Sequence, residues 1–190
     1  MKKNLTIKDL KNHALADNIP IIQDDALNYI KDLINKKSIK NILEIGTAYG
    51  YSAISFSSDK THVDTLERDQ KRLKEAVIWV NKLKANVNVY NTDALEFIPD
   101  KTYDMIFIDG AKAQYKKFFL RYQKYLNPNG IIVCDNIDFH DLKIEEVKNR
   151  GTKSLLKRLA EFKIFLESNT EFETMFLKYG DGLSISVHKT

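Results

Sequence analysis

Four polar residues in the second half of the sequence have the types and spacing of a metal-assisted catalytic centre. Asp109 ends one apolar run, Asp135 and Asn136 end the next, and Lys112 follows Asp109 by three residues. Carboxylate and amide oxygens suit a hard divalent cation such as Mg²⁺, whereas structural Zn²⁺ sites use cysteine and histidine. A cation there would hold a substrate hydroxyl and lower its pKa. Lys112 could then accept the proton or stabilise the oxyanion.

Each of these residues alone has a simpler explanation. Lys112 could be a solvated surface lysine, and Asp109 and Asp135 could cap the helices that follow them. We favour the metal site because the fourth and fifth strands of a doubly wound sheet are neighbours, so their carboxyl ends meet. His140 lies just past this site in a predicted loop and could touch substrate. His188 ends the last strand and is predicted to be structural.

A second set of residues predicts a nucleoside-containing cofactor. Gly46 and Gly50 stand between a strand and a helix, where they allow a tight turn and a close approach of the backbone to a ligand. Glu67 ends the next strand, where its carboxylate could accept hydrogen bonds from both hydroxyls of a ribose. Asp93 and Ala94 follow the third strand, where an adenine edge would lie.

The same loop argues against a dinucleotide cofactor. The pattern G-x-G-x-x-G is absent, because position 48 is alanine and position 51 is tyrosine. Glu44, at the end of the first strand, would repel a pyrophosphate but could orient the cationic aminoacyl part of S-adenosylmethionine. The alternative is a structural turn that happens to contain two glycines. We prefer the cofactor because acidic residues end three consecutive strands, and open α/β sheets bind ligands there.

Short apolar strands that alternate with helices must position these residues. The periodicity predicts helices over 5–17, 24–36, 69–84, 115–125 and 154–168, and a turn at 127–130. It predicts strands over 41–45, 62–66, 87–90, 104–108 and 130–134. Residues 172–178 and 183–188 flank a Gly-Asp-Gly turn, which is typical of a β-hairpin. The predicted fold is α/β and Rossmann-like, of the class I methyltransferase type. Its seven-stranded sheet is mostly parallel, with a C-terminal antiparallel hairpin.

Length and composition exclude several classes of protein. The chain has 190 residues, of which 43% are hydrophobic and 29% charged, as in ordinary globular domains. We expect one domain, with N-terminal helices in 1–38 and an α/β core in 39–190. Cys134 is the only cysteine, which excludes an intrachain disulfide and favours a reducing compartment. Early charges predict no signal peptide and no apolar run predicts a membrane span, so we expect a cytoplasmic protein without membrane partners.

These motifs resemble the cation-dependent O-methyltransferases of the catechol and caffeoyl-CoA type. The resemblance rests on Glu44-Ile-Gly-Thr-Ala-Tyr-Gly-Tyr-Ser-Ala-Ile54, Asp109-Gly-Ala-Lys112 and Asp135-Asn136, and it extends from residue 18 to the final hairpin. It implies that Asp109, Asp135 and Asn136 bind Mg²⁺, with Asp109 and Lys112 as the catalytic residues and Lys112 as the base. The predicted contacts of S-adenosylmethionine are Ile22, Glu44, Gly46, Gly50, Ser52, Glu67, Asp93, Ala94 and Asp109. The resemblance also implies a homodimer, with the N-terminal helices as the candidate surface.

A narrower resemblance points to RNA as the substrate. Phe107-Ile-Asp-Gly-Ala-Lys-Ala-Gln-Tyr115, Phe118-Phe119 and Cys134-Asp-Asn-Ile137 are similar to the bacterial tRNA 5-hydroxyuridine methyltransferases. Those enzymes make 5-methoxyuridine at the wobble position of the anticodon. Gly110 departs from the alanine that is commoner there. The resemblance implies the tRNA anticodon loop as the substrate.

Positive charges concentrate on both sides of the predicted metal site. The chain has 30 basic and 26 acidic residues, which is a weak indication by itself. However, stretch 112–124 holds five basic and no acidic residues, and stretch 143–163 holds seven basic and three acidic ones. An unpaired base could stack on Tyr115, Phe118 or Phe139. We predict that phosphates contact Lys116, Lys117, Arg121, Arg150 and Lys153.

Other functions stay open at this point. Solvated lysine-rich helix faces would explain the concentration of positive charge equally well. A small catechol or phenol is the alternative substrate. A non-catalytic RNA-binding protein could retain the fold, although the complete set of Asp109, Lys112, Asp135 and Asn136 argues against it. A nicotinamide oxidoreductase is disfavoured because its dinucleotide pattern is absent.

Overall fold

The computed structural model describes residues 5–138 and 147–190 as one sheet with helices on both faces. Two short 3₁₀ turns, Lys112–Gln114 and Gln123–Tyr125, flank the fifth helix. The helices are α1 (Ile7–Ala16), α2 (Asp24–Lys36), α3 (Tyr51–Phe56), α4 (Gln70–Leu83), α5 (Tyr115–Tyr122) and α6 (Arg150–Glu167). The strands are β1 (Asn41–Ile45), β2 (His62–Glu67), β3 (Val87–Asn91), β4 (Tyr103–Ile108), β5 (Leu126–Cys134), β6 (Phe172–Leu177) and β7 (Leu183–His188).

The seven strands form a single sheet in the order β3-β2-β1-β4-β5-β7-β6. The first five strands are parallel, and β7 runs antiparallel to both β5 and β6. This arrangement confirms the predicted α/β methyltransferase fold with its C-terminal hairpin. The chain leaves β1 toward β2 and β3, then returns to place β4 on the other side of β1. That reversal of strand order opens a crevice at the carboxyl ends of β1 and β4.

The register of the parallel strands brings distant residues to one edge of the sheet. Ile45 lies opposite both Leu66 and Ile108, and Ile108 lies opposite Cys134. Residues that directly follow these partners therefore emerge at the same level. Gly46, Glu67, Asp109 and Asp135 consequently share the edge at which the sequence predicts chemistry.

Two apolar clusters, one on each face, hold the sheet between its helices. Alternate strand residues such as Ile42 and Phe107 face α2, α3 and Trp79 of α4, whereas Leu43 and Ile106 face α5 and α6. Side chains alternate between faces along a strand, so each strand contributes to both clusters. Within residues 5–138 and 147–190, no helix is long and apolar enough to cross a membrane.

Three element boundaries differ from the predictions for local reasons. The last helix starts at Arg150 rather than 154, because the Asn149 side chain accepts a hydrogen bond from the Thr152 amide and caps it. Residues 127–130 belong to β5 instead of a turn, because Leu126 already pairs with Tyr103 ahead of a register shift. The helix predicted to reach 125 ends at Tyr122 and tightens into a 3₁₀ turn.

Candidate active site

A cavity of about 340 Å³ lies at the carboxyl edge of the sheet, where β1, β2 and β4 end. The loop after β1 forms one wall, and residues 20–22 of the N-terminal segment form another. Basic side chains of Arg68, Arg72 and Lys112 also line it. The predicted cofactor contacts found in its walls are Ile22, Gly46, Ser52, Glu67, Asp93, Ala94 and Asp109.

The first glycine of the loop is required by the neighbouring chain. Gly46 has φ +106°, and a Cβ there would lie 2.6 Å from the Asp109 carbonyl oxygen. The loop after β1 therefore packs directly on the residue that follows β4. Gly50, with φ +84°, ends the loop as the N-cap of α3. The sequence predicted that glycine would let a ligand approach, and the structure shows in addition that it lets two strand ends approach each other.

Glu67 is held in place by the backbone of the two loops beside it. Its carboxylate accepts hydrogen bonds from the Ala48 and Asp69 amides, each at 2.9 Å, and only 7% of the residue is exposed. Each carboxylate oxygen can accept more than one hydrogen bond. The side chain thus lines the cavity in a fixed orientation with acceptor capacity left for a ligand.

Sequence reasoning missed two arginines in the cavity wall. Arg68 directly follows β2, and its Nη1 lies 3.2 Å from Asp93 Oδ2. The other oxygen of Asp93 accepts a hydrogen bond from the Leu95 amide at 2.8 Å. Arg72 lies one turn into α4 and lines the same wall. Their position immediately after the predicted ribose-binding strand is the signal that could have identified them.

Two of the predicted cofactor residues lie behind the wall. Glu44 is fully buried, and its carboxylate accepts hydrogen bonds from Ser52 Oγ, at 2.5 Å, and from the Thr65 hydroxyl. Burial raises the pKa of Glu44 to about 7. Glu44 therefore contacts Ser52, which lines the cavity, but does not line the cavity itself. Gly50 does not line it either, and lies at the start of α3, the helix that carries Ser52. Direct cofactor contacts by Glu44 and Gly50 stay predictions.

The acidic cluster combines like charges with little to compensate them. Burial and the neighbouring Asp135 raise the pKa of the Asp109 carboxyl well above its usual range. Burial likewise raises the pKa of Asp135 to about 6. Lys112 Nζ lies 3.9 Å from Asp109 Oδ1. Asp135 Oδ1 accepts a hydrogen bond from the Asn136 amide, but its buried Oδ2 has no hydrogen-bond partner among the described residues.

Backbone contacts fix the segment that follows β5. Asn136 adopts φ +56°, a left-handed conformation that asparagine tolerates better than most residues. The next two amides, of Ile137 and Asp138, donate to carbonyls in the turn between β6 and β7. Tyr115 donates from its hydroxyl to the Asp135 carbonyl at 2.9 Å. The C-terminal hairpin therefore positions Asp135 and Asn136, a role that sequence reasoning did not identify.

The aromatic part of the predicted RNA surface is largely wrong. Tyr115 is 1% exposed and Phe118 is 4% exposed, so neither ring can stack on a base at the surface, although Phe118 lines the cavity. Phe139 lies outside the described residues, as does His140. His188 lies against the Phe172 ring, with 4.3 Å between ring centres.

The basic part of that surface is mostly available. Lys116, Lys117, Arg150 and Lys153 are all exposed. Arg121 differs because it is half-buried and its guanidinium donates to the Phe97 carbonyl at 2.9 Å. Arg121 consequently has a structural role that limits its use as a phosphate contact.

Sequence comparison identifies the family of this fold and site. The profile of the O-methyltransferase family matches residues 2–189. The chain belongs to the O-methyltransferase family. This confirms the prediction that the protein is an O-methyltransferase.

Relatives of this O-methyltransferase agree with the assignment. A Staphylococcus aureus structure, named provisionally as a caffeoyl-CoA O-methyltransferase, is 37% identical and superposes with a TM-score of 0.93. The match covers 98% of this chain and 93% of that one. A catechol O-methyltransferase of Niastella koreensis is 28% identical over 79% of this chain and 74% of its own length. A Bacillus cereus O-methyltransferase solved with S-adenosylhomocysteine is 24% identical and shares the fold, with a TM-score of 0.83 over 100% of this chain and 93% of that one.

Proposed function

We propose that this O-methyltransferase moves a methyl group from S-adenosylmethionine to a hydroxyl held by a divalent cation, preferably Mg²⁺. We further propose that the acceptor is 5-hydroxyuridine at the wobble position of tRNA, which becomes 5-methoxyuridine. The mechanism rests on Asp135, whose buried Oδ2 has no hydrogen-bond partner in residues 5–138 and 147–190. Its neighbour Asp109 lines the cavity. A buried polar atom without a partner is costly unless a ligand completes its contacts.

The residues at this edge fit a hard cation. Asp109 and Asp135 supply carboxylates and Asn136 an amide oxygen, and the raised pKa values of the two acids reflect burial and like charge that a cation would offset. Within residues 5–138 and 147–190, no group of three or more His, Cys, Asp or Glu side chains is arranged to hold a metal ion by itself, so we propose that the amide oxygen of Asn136 completes the donor set. When bound, the cation would hold the acceptor hydroxyl and lower its pKa.

The chain's own residues account for the remaining steps. We propose that Glu67 accepts hydrogen bonds from the ribose of the cofactor and that Ser52, which also lines the cavity, contacts its aminoacyl end. Lys112, next to Asp109, is placed to accept the proton of the acceptor hydroxyl. The acceptor oxygen forms a bond to the methyl carbon as the sulfur–carbon bond breaks, leaving S-adenosylhomocysteine. Holding the two substrates in line supplies much of the rate enhancement.

The charge distribution supports a nucleic-acid acceptor. Arg158 of α6 donates to the Ala113 carbonyl of the 3₁₀ turn that begins with Lys112, at 3.4 Å. This contact places α6 beside the mouth of the cavity. We infer that exposed Arg150 and Lys153 on α6, with exposed Lys116 and Lys117 on α5, form a positively charged border of the site. Phosphate groups of an anticodon loop would bind such a border.

A small phenolic acceptor is the second candidate. Its support comes from the names of relatives, which include a catechol O-methyltransferase and a provisional caffeoyl-CoA O-methyltransferase. Labelled cofactor with tRNA that carries 5-hydroxyuridine, compared with catechol and caffeoyl-CoA, separates the two. We expect methylation of the tRNA at a kcat/KM well above that of either phenol. Activity on the phenols alone would overturn the tRNA assignment.

Substitution of Asp135 tests the metal mechanism. We expect Asp135→Asn to lower kcat at saturating Mg²⁺ by at least about 100-fold, because even outer-shell changes at metal sites cost 10–100-fold. The matched control is Asp59→Asn, an exposed carboxylate far from the sheet's carboxyl edge, which should retain full activity. Calorimetric binding of S-adenosylhomocysteine to both variants checks the fold. Full activity of Asp135→Asn in a chelator would exclude the proposed metal mechanism.

A further inference from the structure

A polar and aromatic cluster outside the cavity joins three distant parts of the chain. The Tyr49 hydroxyl donates to Asp17 Oδ2 at 2.8 Å, and Trp79 Nε1 donates to His13 Nδ1 at 3.1 Å. The other ring nitrogen of His13 lies 3.4 Å from the same Asp17 oxygen, and Glu75 Oε2 lies 4.0 Å from His13 Nδ1. The His13 ring also contacts the Tyr49 ring edge-on, with 5.4 Å between centres.

Each part of this cluster continues into a wall of the cavity. Asp17 is the C-cap of α1, and the chain turns sharply at Asn18, with φ +54°, before residues 20–22 reach the cavity. Tyr49 itself lines the cavity from the loop after β1. Glu75 and Trp79 lie on α4, which contributes Arg72 to the same cavity. The cluster therefore connects the N-terminal wall, the cofactor loop and α4 on the outside of the site.

We propose that the cluster of His13, Asp17, Tyr49, Glu75 and Trp79 is a latch that holds residues 20–22 and Tyr49 against the bound cofactor. The inference rests on the proposed cofactor, S-adenosylmethionine, and it is independent of the acceptor. Asp17 and His13 are positioning residues, because they act on the cavity through Tyr49 and the end of α1. The latch raises cofactor affinity and leaves the methyl-transfer step itself unchanged.

The hydrogen bond between Tyr49 and Asp17 has properties that suit a reversible latch. The hydrogen bond to Asp17 is the main cause that raises the pKa of Tyr49, so the phenol remains a protonated donor across the physiological range. Asp17 is 44% exposed and His13 is 37% exposed, so the contact can open and close without unfolding the core. A partly exposed hydrogen bond is modest in strength, which suits a wall that must release its ligand.

Calorimetric binding of S-adenosylhomocysteine tests the latch without any methyl acceptor. Tyr49→Phe removes only the hydroxyl, and Asp17→Ala removes its acceptor. We expect each to weaken binding by about threefold to tenfold, and the double variant to bind no more weakly than the weaker single variant. Asp32→Ala, which removes an exposed carboxylate of α2, is the matched control and should bind normally. We expect kcat at saturating cofactor to stay within about twofold of wild type, while KM for the cofactor rises.

Fluorescence supplies a readout that a merely structural role would not change. Trp79 is the only tryptophan of the chain, and its indole N–H donates a hydrogen bond to His13. We expect S-adenosylhomocysteine to change the Trp79 emission of the wild type, because the latch tightens on binding. The change should disappear in Tyr49→Phe even when that variant is saturated.

The outcomes separate the latch from the cofactor assignment. Wild-type binding together with unchanged affinity in both single variants would overturn the latch alone. Fully additive losses in the double variant would also overturn it, as would lower thermal stability with normal affinity. Failure of the wild type to bind S-adenosylhomocysteine would overturn both the latch and the proposed cofactor.

Discussion

Buried carboxylates of this protein differ in pKa because their neighbours differ. Glu44 receives hydrogen bonds from two hydroxyls and has a pKa of about 7, and Asp135 has a pKa of about 6, in both cases chiefly because of burial. Burial would also raise the pKa of Asp64, but hydrogen bonds from Lys101, His62 and Tyr103 outweigh it and lower the pKa. Asp64 is therefore a structural ion, whereas the raised pKa values of Glu44 and Asp135 are what a proposed functional site would show.

This difference predicts how Asp64 contributes to stability. We expect Asp64→Asn to lower the free energy of unfolding at pH 7 by about 1–3 kcal/mol, because it weakens hydrogen bonds to a buried charge. The pKa of Asp64 is lowered in the folded state, so its contribution is present above the unfolded value of 3.8 and is lost as the pH falls through the folded value. Denaturant unfolding of both proteins from pH 7 to pH 3 measures this. A difference in the free energy of unfolding between wild type and Asp64→Asn that stays constant below pH 4 would contradict the prediction.

At the scale of elements, the loop between β1 and α3 depends on its contact with the end of β4. Gly46 allows the loop to pack on the Asp109 backbone, and the Ala48 amide then reaches Glu67 at the end of β2. One loop thus sets the spacing of three strand ends. The same spacing sets the relative positions of Glu67, which we propose holds the ribose, and Asp109, which we propose would help to hold the cation.

Two glycine substitutions distinguish the stability cost of backbone strain from the cost of a steric clash at Cβ. Gly46→Ala combines a positive φ with a Cβ 2.6 Å from a carbonyl oxygen, whereas Gly50→Ala has a positive φ but no atom closer than 3.6 Å. We expect Gly50→Ala to cost about 1–2 kcal/mol of stability from left-handed strain and Gly46→Ala clearly more, with loss of S-adenosylhomocysteine binding. Thermal unfolding and calorimetry measure both. Equal costs for the two variants would mean that the approach of the loop to β4 is unimportant.

At the scale of the whole molecule, the mild surplus of four positive charges is unevenly placed. Helices α5 and α6 cover one face of the sheet and carry exposed lysines and arginines, among them Lys116, Lys117, Arg150 and Lys153. Helix α2 packs on the opposite face. A charged substrate approaching the site would therefore meet a field that the net charge alone does not reveal.

Charge reversal tests whether this field serves an RNA substrate. We expect Arg150→Glu with Lys153→Glu to raise KM for hydroxylated tRNA by at least about tenfold and to reduce its salt dependence, because phosphate contacts are lost. Acidic residues are well tolerated in the first turn of a helix, so α6 should remain folded. Lys31→Glu with Lys36→Glu on α2 makes the same change in charge and should leave KM unaltered. Equal effects of the two pairs would show that the border of the cavity has no specific role.

The fold class and most strand positions could be predicted from local sequence pattern, because buried parallel strands require apolar runs that stand out between helices. It also indicated Asp109, Lys112, Asp135 and Asn136, because they follow neighbouring parallel strands, whose carboxyl ends meet where α/β sheets bind ligands. Helix boundaries such as Asn149 depended on a single side-chain cap and were less predictable.

Which of these residues face the cavity depends on how the strands and helices pack, and the sequence did not reveal it. Glu44 proved to lie behind Ser52, and Tyr115 proved to be buried against the Asp135 carbonyl, since both outcomes depend on packing between strands that are distant in the chain. The latch of His13, Asp17, Tyr49, Glu75 and Trp79 has no local signature either, because its members are separated by up to 66 residues. Local periodicity predicts where helices and strands lie, but which side chains contact each other between them depends on how those elements pack.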